Sequence, residues 1–179
     1  LRRRLVGCRV VMPLYESISE ELKANMNFIA GITVPVAWRR QYCGIFEAKA
    51  NGVIYYLLDN QYYFKRENLY GYYDDAERYA FFSRAVLEML QYIDYKPDII
   101  HCNDWQTALI PVFLNALYRE NEIHRNIHTV FTIHNIQYQG KYGHELIGDV
   151  LGLPDGTKQV IDYDNCVNFM KGGIQEADR

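Results

Sequence analysis

Two short blocks constrain this chain more than any other part of it: Asp98-Ile-Ile-His-Cys-Asn-Asp-Trp105 and His128-Thr-Val-Phe-Thr-Ile-His-Asn135. Each is a run of β-forming residues that ends abruptly in polar side chains. Between them Leu109, Val112, Phe113, Ala116 and Leu117 recur at helical spacing over residues 106–119. Strand, helix, strand is the crossover unit of a parallel sheet. Both strands then end on one edge, where Asn103, Asp104, His134 and Asn135 are expected to cluster. Ligands of open α/β sheets bind off that carboxyl edge.

The rest of the chain reads as elements feeding this unit. Residues 9–12 form a strand stopped at Pro13, and residues 20–28 suit a short helix. Residues 33–38 suit an edge strand, because Pro35 cannot donate to a ladder. Residues 42–48 and 53–58 flank Asn51-Gly52, a favoured two-residue hairpin turn. Residues 60–73 are polar, aromatic and punctuated by glycine, which predicts a surface loop. Asp74 or Asp75 caps a helix whose apolar face runs from Tyr79 to Ile93, ended by Lys96-Pro97. Pro111 falls where an interior amide would be needed, so the crossover helix starts late or kinks. A second polar-aromatic loop covers residues 136–143, a short helix 144–151, and a final helix 165–178 weakened by Gly172-Gly173. The expected class is α/β: a Rossmann-like parallel sheet with flanking helices and a β-hairpin insertion, over residues 1–179 as a single partial domain.

With 179 residues and a net charge of −3, the chain can bury a sizeable core and carries no basic stripe, so nucleic acid is not an expected partner. No apolar run approaches the roughly 20 residues that cross a bilayer, so no membrane is expected either. Cys8, Cys43, Cys102 and Cys166 form no Cys-x-x-Cys pair and read as free thiols of a reducing, cytoplasmic compartment. The opening residues lack the cleavage pattern of a signal peptide and begin on Leu1, which reads as an internal piece of a larger protein. Eleven of the sixteen tyrosines fall between Tyr42 and Tyr95; their ring faces and hydroxyls suit packing for most and sugar stacking for some.

At the carboxyl edge each residue has a plain role beside a functional one. Asp104 precedes a helix, and pattern alone favours an N-cap; as a free carboxylate it would accept ligand hydroxyls or balance developing positive charge. His134 ends an apolar strand and meets solvent or ligand at the edge. His101, inside its strand, reads as a buried structural histidine. The two histidines lack metal-site spacing, so no metal is expected. Gly172-Gly173 matches no nucleotide loop and reads as a close helix approach or a backbone near a ligand.

Together the stretches RVVMPLY, VAWRRQYCGIFE, LDNQYYFKRENLYGYYDDAERYAFFSRAVLEML, PDIIHCNDWQTALIPVFL, TVFTIHNIQYQGKYG and VNFMKGGIQEADR resemble the bacterial glycogen synthase and starch synthase family, in its order and at its separations. The resemblance implies the N-terminal half of a GT-B glycosyltransferase. Two Rossmann-like domains face a cleft, and glucose passes from ADP-glucose (UDP-glucose in some relatives) to the non-reducing end of an α-1,4-glucan with retention. It places His134 and Asp104 in the catalytic site, with Asn135, Tyr138, Gln139 and Asn103 as substrate-binding neighbours. It implies no cofactor beyond the donor sugar nucleotide. The family's first strand and Lys-x-Gly-Gly-Leu loop are expected before Leu1, and its nucleotide-binding C-terminal domain after Arg179, so this polypeptide alone is expected to be inactive. The alternative is a non-catalytic glucan-binding module.

Overall fold

A computed structural model describes residues 7–179; the basic opening segment lies outside the described residues. The chain divides into two compact units, residues 1–33 with 42–71, and residues 34–41 with 72–179.

Strands β1 (Arg9–Pro13), β2 (Asn27–Val36), β3 (Arg39–Ala50) and β4 (Val53–Asp59) form a sheet in the order β1-β4-β3-β2; they belong to the first unit except for residues 34–41, the end of β2, the start of β3 and the turn between, which belong to the second. β3 and β4 pair antiparallel from Ala50↔Val53 to Gly44↔Asp59. Asn51 (φ 48°) and Gly52 (φ 72°) both take positive φ, which is the turn that matches strand twist. β1 pairs parallel to β4. β2 takes the sheet edge, where Pro35 needs no ladder partner. The early helix is shorter than expected, α1 (Glu20–Ala24), because β2 begins already at Asn27. The expected loop after β4 begins instead with a one-turn helix, α2 (Gln61–Phe64), whose N-cap Asn60 accepts from the Tyr63 amide.

The second unit carries the crossover. Helix α3 (Asp75–Glu88) continues as a 3₁₀ turn, Met89–Gln91, and is buried nearly all round instead of along the one apolar face expected, with Glu77, Arg84 and Glu88 half-buried. Its N-cap position is Asp74, which makes no side-chain cap bond. Strand β5 (Ile99–Asn103) pairs parallel with β6 (His128–Thr132), from Ile99↔His128 to Asn103↔Thr132. Between them run a 3₁₀ turn (Trp105–Thr107), helix α4 (Leu109–Phe113) and a π-helical turn (Leu114–Tyr118). Pro111 falls in the first turn of α4, where the missing amide has no helical partner to lose, so the late start absorbs it. All five residues of α4 are buried, which is why its sequence is apolar all round.

Past β6 lie the short strands β7 (Lys141–Tyr142), β8 (Asp162–Tyr163) and β9 (Cys166–Asn168), in the order β7-β9-β8. The expected 144–151 helix is a π-helical turn, Ile147–Leu151, closed by left-handed Gly152. The final helix, α5 (Phe169–Glu176), begins later than expected because residues 166–168 pair as β9. A Cβ on Gly172 would meet Ile161 at 2.8 Å and Val112 at 2.9 Å, and one on Gly173 would meet Ala108 at 3.0 Å. The glycine pair therefore serves close packing of α5 on the crossover. After α5 the chain turns back beside β6: Arg179 N donates to Thr129 O and Phe131 N to Arg179 O (3.3 and 2.8 Å), the pattern of a parallel ladder.

All four cysteines are free, with Cys43 and Cys102 buried. Burial pushes the Cys102 thiol up to about 12, so it is no nucleophile at neutral pH. Among the described residues no helix is long and apolar enough to cross a membrane.

Candidate functional site

The polar ends of β5 and β6 meet through Asp104. Its carboxylate Oδ1 accepts the His134 amide at 2.7 Å and the Asn135 amide at 3.2 Å. Asp104 occupies an N-cap position, but its side chain makes no cap bond. The cap favoured by pattern alone is thus corrected: the carboxylate reaches across to the neighbouring strand end instead. An N-cap residue normally holds β-region backbone, and Asp104 instead has φ 58°, ψ 179°.

That conformation is nearly restricted to glycine and costs about 1–3 kcal/mol. It persists because the elbow is held from several sides. Asp104 N donates to Thr132 O (2.9 Å), and Thr107 N donates to Asp104 O (3.1 Å). The Thr107 hydroxyl donates to Asn103 O at 2.8 Å. Backbone strain of this kind concentrates at ligand and catalytic sites.

His134 is exposed, and its Nε2 lies 3.0 Å from Asn103 Oδ1. Because an amide oxygen can only accept, Nε2 donates there, which leaves Nδ1 of the neutral ring as an acceptor. His101 differs from its expected burial: it is exposed on the sheet and shares a 2.7 Å hydrogen bond with Thr132 Oγ1. The alternation of β5 decides this. Cys102 is buried and Ile100 half-buried on one side of the strand, which turns Ile99, His101 and Asn103 outward.

The other expected site residues sit in the loop that follows. Asn135 Oδ1 accepts the Gln137 amide at 3.0 Å in a local turn. Tyr138 is about half exposed, at 51%. Gln139 is tied down: Nε2 donates to Ile136 O (3.0 Å), and Oε1 accepts from Asn168 Nδ2 (2.8 Å). Asn168 also caps α5, its Oδ1 accepting from the Lys171 amide at 3.0 Å. The Phe169 and Met170 amides donate to Gly140 O and Gln139 O, both at 3.0 Å. One end of the loop is therefore fixed by Asp104 and the other by the first turn of α5. Gly140 permits this, since it has φ 66° and a Cβ there would stand 2.8 Å from Trp105.

The structure thus brings Asn103, Asp104, His134 and Asn135 together and puts Gln139 into the support of the loop. Sequence reading missed Thr132, Thr107 and Asn168. Of these Asn168 carried a signal, an Asn immediately ahead of a helical run. Among the described residues no group of three His, Cys, Asp or Glu side chains is placed to hold a metal ion.

The family model of the starch synthase catalytic domain matches residues 1–179. The chain belongs to that family. It is 48% identical over 182 residues to a glycogen synthase of Clostridium kluyveri, covering 100% of this chain and 38% of that protein. To a glycogen synthase of Geobacillus stearothermophilus it is 49% identical over 181 residues, covering 99% of this chain and 37% of the relative. The catalytic domain of starch synthase IV from Arabidopsis thaliana, bound to ADP and acarbose, superposes with a TM-score of 0.88 at 26% identity, covering 99% of this chain and 38% of that one. The chain thus spans under two-fifths of the starch and glycogen synthases it matches. The fold is an α/β fold with parallel sheet similar to a starch synthase catalytic domain.

Proposed function

We propose that this chain is part of a retaining glucosyltransferase that moves glucose from ADP-glucose to the non-reducing end of an α-1,4-glucan. The observation that carries the reading is the Asp104 bridge between the two strand ends, in a chain of this family. Its whole length is read as one partial catalytic domain, in keeping with a family match from end to end.

In the reaction the bond from glucosyl C1 to the diphosphate breaks, and a bond to the acceptor's 4-hydroxyl oxygen forms on the same face. The sugar passes through an oxocarbenium-like state, which gains from hydroxyl clamps held in place beforehand. Asp104 Oδ2, His134 Nδ1 and the amide groups of Asn103 and Asn135 supply such clamps, and Tyr138 offers a ring and a hydroxyl nearby in sequence. The leaving diphosphate needs fixed positive charge, and none of Asn103, Asp104, His134 or Asn135 carries a permanent one. We assign that role to a nucleotide-binding domain of the longer synthases, so the chain by itself is inactive. The ADP and acarbose named for the Arabidopsis structure support both halves of this reading.

The test is transfer of labelled glucose from ADP-glucose to maltooligosaccharide by the intact protein, with UDP-glucose in parallel. Absence of transfer from either donor would overturn the assignment. Maltooligosaccharide binding by an intact protein with no response to either nucleotide sugar would establish the binding-module alternative.

A further inference from the structure

We propose that Trp38, with Asp149 at its rim, is a second docking site for α-glucan, one that shares no residue with the Asp104–His134 edge. The inference rests on the reading of the substrate as an α-glucan and names a further place where that polymer is held.

Trp38 is 72% exposed, on the turn between β2 and β3. An exposed indole alone means little. This one is built into place. Its Nε1–H donates to Asp149 Oδ1 at 2.9 Å. The Arg39 guanidinium lies over the ring, 4.4 Å from its centroid. Arg39 is itself fixed by Asp149 Oδ2 at 2.9 Å and by Glu77 at 3.5 Å. The turn is seated closely as well: Ala37 has φ 51°, and a Cβ on Gly152 would meet Ala37 Cα at 3.0 Å.

Three constraints thus hold the indole plane while leaving most of it in water. A side chain that needed only to close a turn would require none of them. An aromatic side chain fixed before binding loses little conformational freedom when a ligand stacks on it. With Arg39 against one face of the indole, the other accepts a flat apolar surface. The CH face of a pyranose ring has that shape, and its hydroxyls project sideways toward hydrogen-bonding groups. Asp149, with its side chain 51% exposed, stands at that rim. A free monosaccharide gains little from one such contact. A polymer gripped at a second place gains more, because the second contact forms within one complex.

Trp38→Gln in the intact protein keeps a hydrogen-bond donor for Asp149 and removes the ring. We expect its KM for glycogen to rise roughly five- to tenfold, with that for the short oligomer maltotriose changed by less than about twofold. Trp38→Tyr, which keeps a flat ring, retains most of the glycogen affinity. Trp38→Ala, checked by circular dichroism, gives the same loss as Trp38→Gln. If Trp38→Gln leaves glycogen KM unchanged, or raises both KM values equally, the docking site is refuted while the proposed reaction stands. If wild type binds no α-glucan by calorimetry, the proposed function fails with it. A changed association state in Trp38→Gln, with unchanged glucan affinity, would make the indole a protein contact and overturn the proposal.

Discussion

The Asp104 carboxylate accepts the backbone amide of His134 at 2.7 Å, so one side chain at the end of β5 sets where the end of β6 lies. A charge-assisted bond of this kind is worth about 1.5–3 kcal/mol. If the proposed reaction holds, Asp104→Ala in the intact protein should lower kcat more than it raises KM for glucan, with a total loss of about 2.7–4 kcal/mol in transition-state stabilisation by analogy with a removed oxyanion donor. Asp104→Asn keeps an oxygen that can accept the amide and should retain more activity than Asp104→Ala. Steady-state kinetics on both variants decide the matter, and equal, near-wild-type turnover would return Asp104 to a purely structural place.

His134→Ala should also lower kcat ahead of KM, because the ring at this edge offers Nδ1 to a hydroxyl while Nε2 is held by Asn103. Asn103→Ala, which frees that ring, should give a smaller loss in the same direction. A pair of variants that act additively would show that Asn103 does not work through His134, since residues in one hydrogen-bonded unit are non-additive.

Gly140→Ala and Gly172→Ala test the packing beneath the loop. Each added methyl meets a neighbour at 2.8 Å, and Gly140 has positive φ besides. Overpacking of this kind destabilises by about 1–3 kcal/mol. Thermal melts should show a lower midpoint for both, and Gly148→Ala, whose Cβ meets open space, serves as the control.

Asp178 closes the chain end onto β6, and the Thr129 amide, donating at 2.7 Å, is the main reason its carboxyl lies below the usual range; His128 adds to the effect. A carboxyl with a depressed folded pKa stabilises above its unfolded pKa, about 3.9, and loses that contribution as pH falls through the lower folded value. Asp178→Asn should therefore be less stable than wild type at neutral pH, and the gap should close as pH falls below about 4. The carboxylate is partly solvated, so the gap is small, and melting temperatures across that range measure it.

The buried Cys102 thiol, pushed up to about 12, should resist iodoacetamide in the native protein and react promptly in denaturant. Cys8 and Cys166, only partly buried, should be labelled first. Mass spectrometry of the labelled peptides gives the order.

What the sequence determined by itself is local or periodic. The Asn51-Gly52 hairpin follows from two residues able to adopt positive φ side by side, and the β5–α4–β6 crossover follows from apolar spacing. The late start of α4 follows from the missing amide of Pro111. The gathering of Asn103, Asp104, His134 and Asn135 also follows, because two parallel neighbours must end on one edge. Tertiary structure alone decided the rest, through partners far apart in the chain. Asp104 leaves the cap role for amides 30 and 31 residues away, Gln139 meets Asn168 across 29 residues, and Trp38 meets Asp149 across 111. Spacing rules describe the turn of a helix or the pleat of a strand, and these bonds join elements whose approach is set only when the core between them packs.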